Sequence, residues 1–195
     1  MKNISVLLFL LITLALNAQN NKTSGLNARQ FHKYWKVESE SPDYKVTFLG
    51  DTVEILSPKG LTLWRKEKMS GKVTIEYDAC VVVEVEGDRL SDLNCFWMAS
   101  DPQYPDNIWK REKWRSGIFL NCYSLQLYYM GYGGNHNSTT RFRRYDGNEA
   151  AITNAKARPA ILKEYTDADH LLEANKWYHI KITNENNRVS YYING

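Results

Sequence analysis

The stretch 72–85, KVTIEYDACVVVEV, decides the class of fold. Ile75, Tyr77, Ala79, Val81 and Val83 fall on one side of an extended chain; Glu76, Asp78, Cys80 and Val82 fall on the other. A period of two marks a β-strand with one buried face, because successive side chains leave opposite sides of the backbone. The flanking sequence has the same grain. Upstream, residues 44–49 and 52–56 flank Gly50-Asp51, a hairpin signal, and 61–64 follows the turn Pro58-Lys59-Gly60. Downstream, 94–99 is a short strand, 117–132 reads as two strands or one bent strand, and 139–145 returns after a turn at 133–137. Residues 177–184 and 188–193 form a last hairpin across Glu185-Asn186-Asn187. Residues 103–114 read as a long polar loop, and 149–162 as the least strand-like region, with room for a short helix. Many short strands with regular turns, and no strong amphipathic helix, predict an all-β sandwich.

Composition fits one soluble domain. The 195 residues are 43% hydrophobic and 24% charged, with a net charge of +3. So small a charge, without a clustered basic face, argues against a nucleic-acid binder. The 13 Tyr and 6 Trp suit strands, and also suit stacking against flat apolar faces.

The first 18 residues read as a secretory leader: Lys2, an apolar run over 6–16, and small residues before Gln19. Residues 19–30 read as a flexible lead-in, and 31–195 as a single β-sandwich domain. No other long apolar run occurs, so the expectation is an exported protein, periplasmic or extracellular, without a membrane span. Cys80, Cys95 and Cys122 match no zinc spacing; each sits in an apolar strand pattern and is expected as a buried free thiol.

The ending Trp177-Tyr178-His179-Ile180-Lys181-Ile182 and Arg188 to Gly195 resembles the penultimate hairpin of concanavalin-like jelly rolls. Leu63-Trp64, Gly71 and Ile75-Glu76-Tyr77 look like early strands of that fold. Ser91 to Ala99, and Gly131 to Asn135 leading to Thr139 to Tyr145, resemble motifs of YesU-like proteins of bacterial polysaccharide utilisation. The resemblance implies a concanavalin-like jelly-roll of two antiparallel sheets that handles carbohydrate. Such folds continue beyond the Asn-Gly turn, so the chain reads as truncated at its C-terminus. The fold hosts lectins, lyases and hydrolases alike.

The residues that could carry chemistry cluster in 124–145. Burying Phe142 with Leu125 and Leu127 sends Arg141 and Arg143 to the face of Gln126 and Tyr128, with Asn135 and His136 at its rim and Tyr145 on the arginine face. Guanidinium groups fork onto carboxylates, so this surface suits an acidic polysaccharide. In a lyase, Arg141 or Arg143 would neutralise a uronate, while His136 and Tyr128 would serve as base and acid for β-elimination. The plainer reading is a solvated arginine-rich strand. Asp92 and Asn94 could bind sugar hydroxyls or calcium, though two oxygen ligands are a weak metal signal and no cofactor is otherwise indicated. Trp97 could be core or a stacking platform, and Trp109 and Arg115 could wall a groove or pin their loop. A non-catalytic binding protein is the alternative. A hydrolase is a second: Glu76 and Asp78 give the first two members of a Glu-x-Asp-x-Glu strand, but Cys80 holds the third place.

Overall fold

A computed structural model describes residues 6–11 and 28–195, the former as backbone. The described residues form twelve strands: β1 (Val6–Leu11), β2 (Trp35–Ser39), β3 (Lys45–Leu49), β4 (Thr52–Ser57), β5 (Leu61–Arg65), β6 (Val73–Val82), β7 (Leu93–Ser100), β8 (Gln126–Gly133), β9 (Thr139–Asp146), β10 (Ile161–Tyr165), β11 (Trp177–Glu185) and β12 (Arg188–Ile193).

The alternation in β6 is realised as read. Ile75, Tyr77 and Ala79 stand opposite Ile182, Ile180 and Tyr178 of β11, and all six turn inward. On the other face Glu76 pairs with Lys181 at 3.0 Å, and Asp78 with the His179 ring at 2.9 Å. The two carboxylates of the hydrolase reading are thus engaged on the outward side of this strand.

Three antiparallel sheets result. Six strands lie in the order β12-β11-β6-β1-β4-β3, four in the order β10-β9-β8-β7, and β2 pairs with β5. The first two sheets pack face to face as a β-sandwich. Their shared core holds Ala79, Val81, Tyr178, Ile180 and Ile182 on one side, and Leu93, Trp97, Met130 and Tyr132 on the other. Burying side chains of this size contributes roughly 2 kcal/mol each. Trp97, 5% exposed, stacks on Tyr128 at 5.8 Å, Phe142 at 5.9 Å and Tyr191 at 6.1 Å between centroids. It is core, not a stacking platform for a ligand.

The outer face of the four-stranded sheet is covered at one end. Leu127, Tyr129 and Tyr145 lie beneath Trp64, Cys122 and Tyr123, with Phe96 and Phe119 at the side. The cover comes from helical turns at Ile108–Arg111, Glu112–Arg115 and Phe119–Ser124. Residues 117–125 are therefore not strand. Cys122 and Tyr123 come round to the buried side three and four places after Phe119, a helical spacing. Gly117 starts this segment at φ +72°, and a Cβ there would lie 2.6 Å from the Glu38 carbonyl oxygen.

The hairpins at 50–51 and 186–187 form where read, the latter with Asn186 and Asn187 at φ 51° and 58° as a two-residue primed turn requires. Residues 149–162 hold the short helix Ala150–Thr153 before β10. The lead-in ends within the helix Ala28–Tyr34, whose Phe31 is fully buried. Of the segment read as a leader, residues 1–5 and 12–18 lie outside the described residues, as do residues 19–27 of the predicted lead-in; residues 6–11 form β1, antiparallel to both β4 and β6. Cys80, Cys95 and Cys122 are free thiols. No helix among the described residues is long and apolar enough to cross a membrane.

Candidate functional site

Register across β7, β8 and β9 fixes the outer face. Asn94, Gly131 and Arg141 form one cross-strand row, and Glu164 of β10 extends it. Phe96, Tyr129 and Arg143 form the next, and Leu127 opposite Tyr145 a third. Side chains in such rows are direct neighbours. Asn94, Phe96, Tyr129, Gly131, Arg141, Arg143 and Tyr145 line an open cleft with a volume of about 1460 Å³, which also reaches Trp64, Trp109, His136 and Arg158 and extends to Ile75, Tyr77 and Ile182 of the larger sheet.

Tyr129, not Tyr128, is the tyrosine of this surface. Tyr128 stands on the opposite face with Met130 and Phe142, between Trp97 and Phe142, and Gln126 shares its parity. The expectation failed because both faces of this sheet are apolar, so the leucines did not mark the inter-sheet side. Leu127 belongs with Tyr145 on the outer face, while Phe142 points into the sandwich. A shift of one residue exchanges every side chain between faces.

The Tyr129 hydroxyl donates to Asn94 Oδ1 at 3.1 Å. Burial lifts its pKa above the ordinary tyrosine range, and Arg143 and Arg141 pull it back only in part. The phenol is therefore protonated at neutral pH. Arg141 Nε donates to Glu164 at 2.5 Å, and Arg143 Nη1 to the Pro159 carbonyl. Each guanidinium thus keeps most of its five donors. Tyr145 is 1% exposed and forms floor, packed on Tyr123 at 4.8 Å and Tyr129 at 5.5 Å.

His136 is presented by a left-handed turn. Asn135, His136 and Asn137 have φ of 52°, 58° and 57°, a conformation that costs a non-glycine residue energy. Asn137 compensates through its amide, which accepts from the Leu172 N–H and donates to the Leu172 carbonyl, both at 2.8 Å. Asn135 donates to Ser138 Oγ at 3.0 Å, and both Asn135 and His136 are exposed at the cleft.

The remaining candidates divide. Asp92 pairs with Arg89, and Asn94 is taken by Tyr129, so both oxygen-bearing side chains already have protein partners. Among the described residues no group of three or more His, Cys, Asp or Glu could hold a metal ion. Trp109 is half-buried on the cleft wall, with Lys36 Nζ 5.5 Å from its ring centroid. Arg115 is fully buried and cannot meet a ligand. Its Nη2 and Nε reach Glu38 at 2.6 and 3.2 Å, and Nη1 reaches the Ile108 carbonyl at 2.8 Å. It pins the covering loop to β2. Burial raises the Glu38 pKa against the pull of Arg115.

A family model matches residues 55–195, the portion that carries the second sheet, its cover and every cleft residue named on it. The chain belongs to DUF6250, a domain of unknown function. No curated protein and no solved structure matches the chain. Within the DUF6250 portion, the residues that sequence reading passed over are Phe96, Phe119, Tyr129 and Arg158. The even pairing sum of the β8–β9 hairpin would have found Tyr129. Arg158, exposed with its guanidinium 5.8 Å from the Tyr123 ring centroid, follows a helical turn and leaves no periodic trace.

Proposed function

We propose that this is an exported protein whose cleft binds an acidic polysaccharide. The observation that carries the reading is the row Phe96–Tyr129–Arg143 beside Asn94–Gly131–Arg141 in an open cleft. Aromatic rings offer faces to pyranose rings, and guanidinium forks recognise carboxylates. The concanavalin-like jelly-roll is the finer architecture that goes with this reading.

The protonated Tyr129 beside two guanidinia favours a second step, β-elimination at a uronate. Arg141 or Arg143 neutralises the carboxylate, which acidifies the adjacent C5 proton. His136 takes that proton; the electron pair forms the C4–C5 double bond; the C4–O4 bond breaks; and Tyr129 protonates the departing oxygen.

The test mixes the full chain with polygalacturonate, glucuronan and ulvan-type polymers, and follows mobility on affinity gels alongside absorbance of the unsaturated product. Retarded mobility with rising absorbance supports both steps. Retardation alone leaves a binding protein and ends the lyase reading. Free migration in every acidic polymer ends both.

A further inference from the structure

The cleft is asymmetric across its width. On the β9 side stand Arg141 and Arg143, two residues apart, and Arg158 follows beside Pro159, whose carbonyl Arg143 contacts. On the β7 side stands Phe96, with Trp64 stacked on it at 5.9 Å and Phe119 at 6.1 Å. Phe119 also meets the Tyr129 ring edge-on at 5.6 Å. One wall therefore carries three guanidinia, of which Arg141 is paired with Glu164, and the facing wall is aromatic; at the hairpin end, Asn94 and the Arg89–Asp92 pair replace the rings.

An extended glycan is a ribbon whose successive sugars turn their substituents to alternate edges. A homopolymer of uronates would drive every second carboxylate against the aromatic wall, away from the guanidinia. An unpaired carboxylate placed against apolar rings is costly to desolvate. A ribbon with acids on one edge only, and a less polar sugar facing the other, meets both walls without that cost.

We propose that the ligand is a heteroglycan in which a uronate alternates with a neutral sugar of low polarity, such as a deoxyhexose. The acids face Arg141, Arg143 and Arg158, and the neutral sugars lie on Phe119 and on Phe96, which the buried Trp64 backs. This rests on the reading of the cleft as an acidic-glycan site.

The test compares dissociation constants of the full chain for matched pairs. Glucuronan oligosaccharides are set against desulfated ulvan oligosaccharides, and oligogalacturonates against oligomers alternating galacturonate with rhamnose. The alternating member of each pair binds at least tenfold tighter. Phe119→Leu, which keeps an apolar side chain while removing the ring, narrows that ratio, and Phe119→Ala narrows it further if its thermal melt shows a folded protein. Arg143→Ala weakens both members alike. Equal or tighter binding of the homopolymers, or a ratio unchanged in Phe119→Leu, overturns the proposal while the acidic-glycan reading stands. Failure of all four ligands to bind removes that underlying reading instead.

Discussion

The ring of Tyr129 lies over the Cα of Gly131, its neighbour two places along β8. A Cβ on Gly131 would sit 2.6 Å from Tyr129 Cζ, closer than side chains approach. The glycine is what lets the phenol fold down along the strand and reach Asn94 on β7. Gly131→Ala removes no ligand contact, yet it should displace the hydroxyl. Urea unfolding should show a loss of about 1–3 kcal/mol from overpacking. Glycan affinity should fall about tenfold, the equivalent of one hydrogen bond to a charged or well-oriented group. Wild-type affinity in this variant would mean that the Tyr129 orientation is irrelevant to the cleft.

Adjacent tyrosines should behave oppositely. Tyr129→Phe keeps the ring and loses the bond to Asn94, so product formation should disappear and stability should drop by about 1 kcal/mol. Tyr128→Phe alters a side chain on the inter-sheet face and should leave binding and product formation unchanged. Steady-state absorbance assays on the two proteins separate them.

The Glu38–Arg115 pair holds the cover of the cleft. Glu38→Gln or Arg115→Met strands one buried charged partner, and either should cost about 3–5 kcal/mol in chemical denaturation. The double replacement should recover much of that loss, since no lone charge remains. Additive losses would show that the two side chains act separately.

The thiols should be quiet in the native protein and should make stability fall in alkali. Burial pushes Cys95 up to about 11 and Cys122 up to about 12. At pH 8 the Cys122 thiolate is then about one part in ten thousand, so alkylation should wait for unfolding. Because the folded chain holds these protons more tightly than the unfolded one, the stability they contribute is full below about pH 9. It is lost as pH rises toward 11 and 12, at up to about 1.4 kcal/mol per pH unit for each thiol. Urea midpoints between pH 8 and 11 for the wild type and for Cys95→Ala/Cys122→Ala would show whether the slope belongs to them.

The left-handed turn offers a separable test. Asn137→Gly accepts φ of 57° without strain but loses both bonds to Leu172. Stability should fall by about 1–2 kcal/mol, two hydrogen bonds less the relieved backbone strain. Product formation should fall far more if the turn serves to hold His136 at the cleft. A proportionate small drop in both would assign the turn a folding role only.

What the sequence made legible depended on contrast between the faces of each strand. In β6, Ile75 and Tyr77 alternate with Glu76 and Asp78, and the buried side is plain. In β8 and β9 both faces are covered, one by the opposite sheet and one, at one end, by the helical turns of 108–124, so alternation carried no sign. That ambiguity put Tyr128 in the place of Tyr129, which shares the outer face with Arg143. Arg115 was unreadable for another reason: its partner Glu38 lies 77 positions away, and nothing local distinguishes a buried arginine from a solvated one. Trp97 is ambiguous in sequence because Tyr191, which stacks against it, comes from the last hairpin.

The position of β1 bears on the order of events in the life of the chain. Residues 6–11 lie inside the segment that reads as a leader, yet they form the middle lane of the larger sheet, matched at five positions to β4 and at five to β6. Cleavage after residue 18 would lift that lane out. It would leave β4 and β6 with facing rows of unpaired amides and carbonyls about 10 Å apart, two strand spacings. A gap of that width admits one further strand, antiparallel to both neighbours. In that event closure of the larger sheet would come after removal of the segment and would wait on a strand to fill the lane.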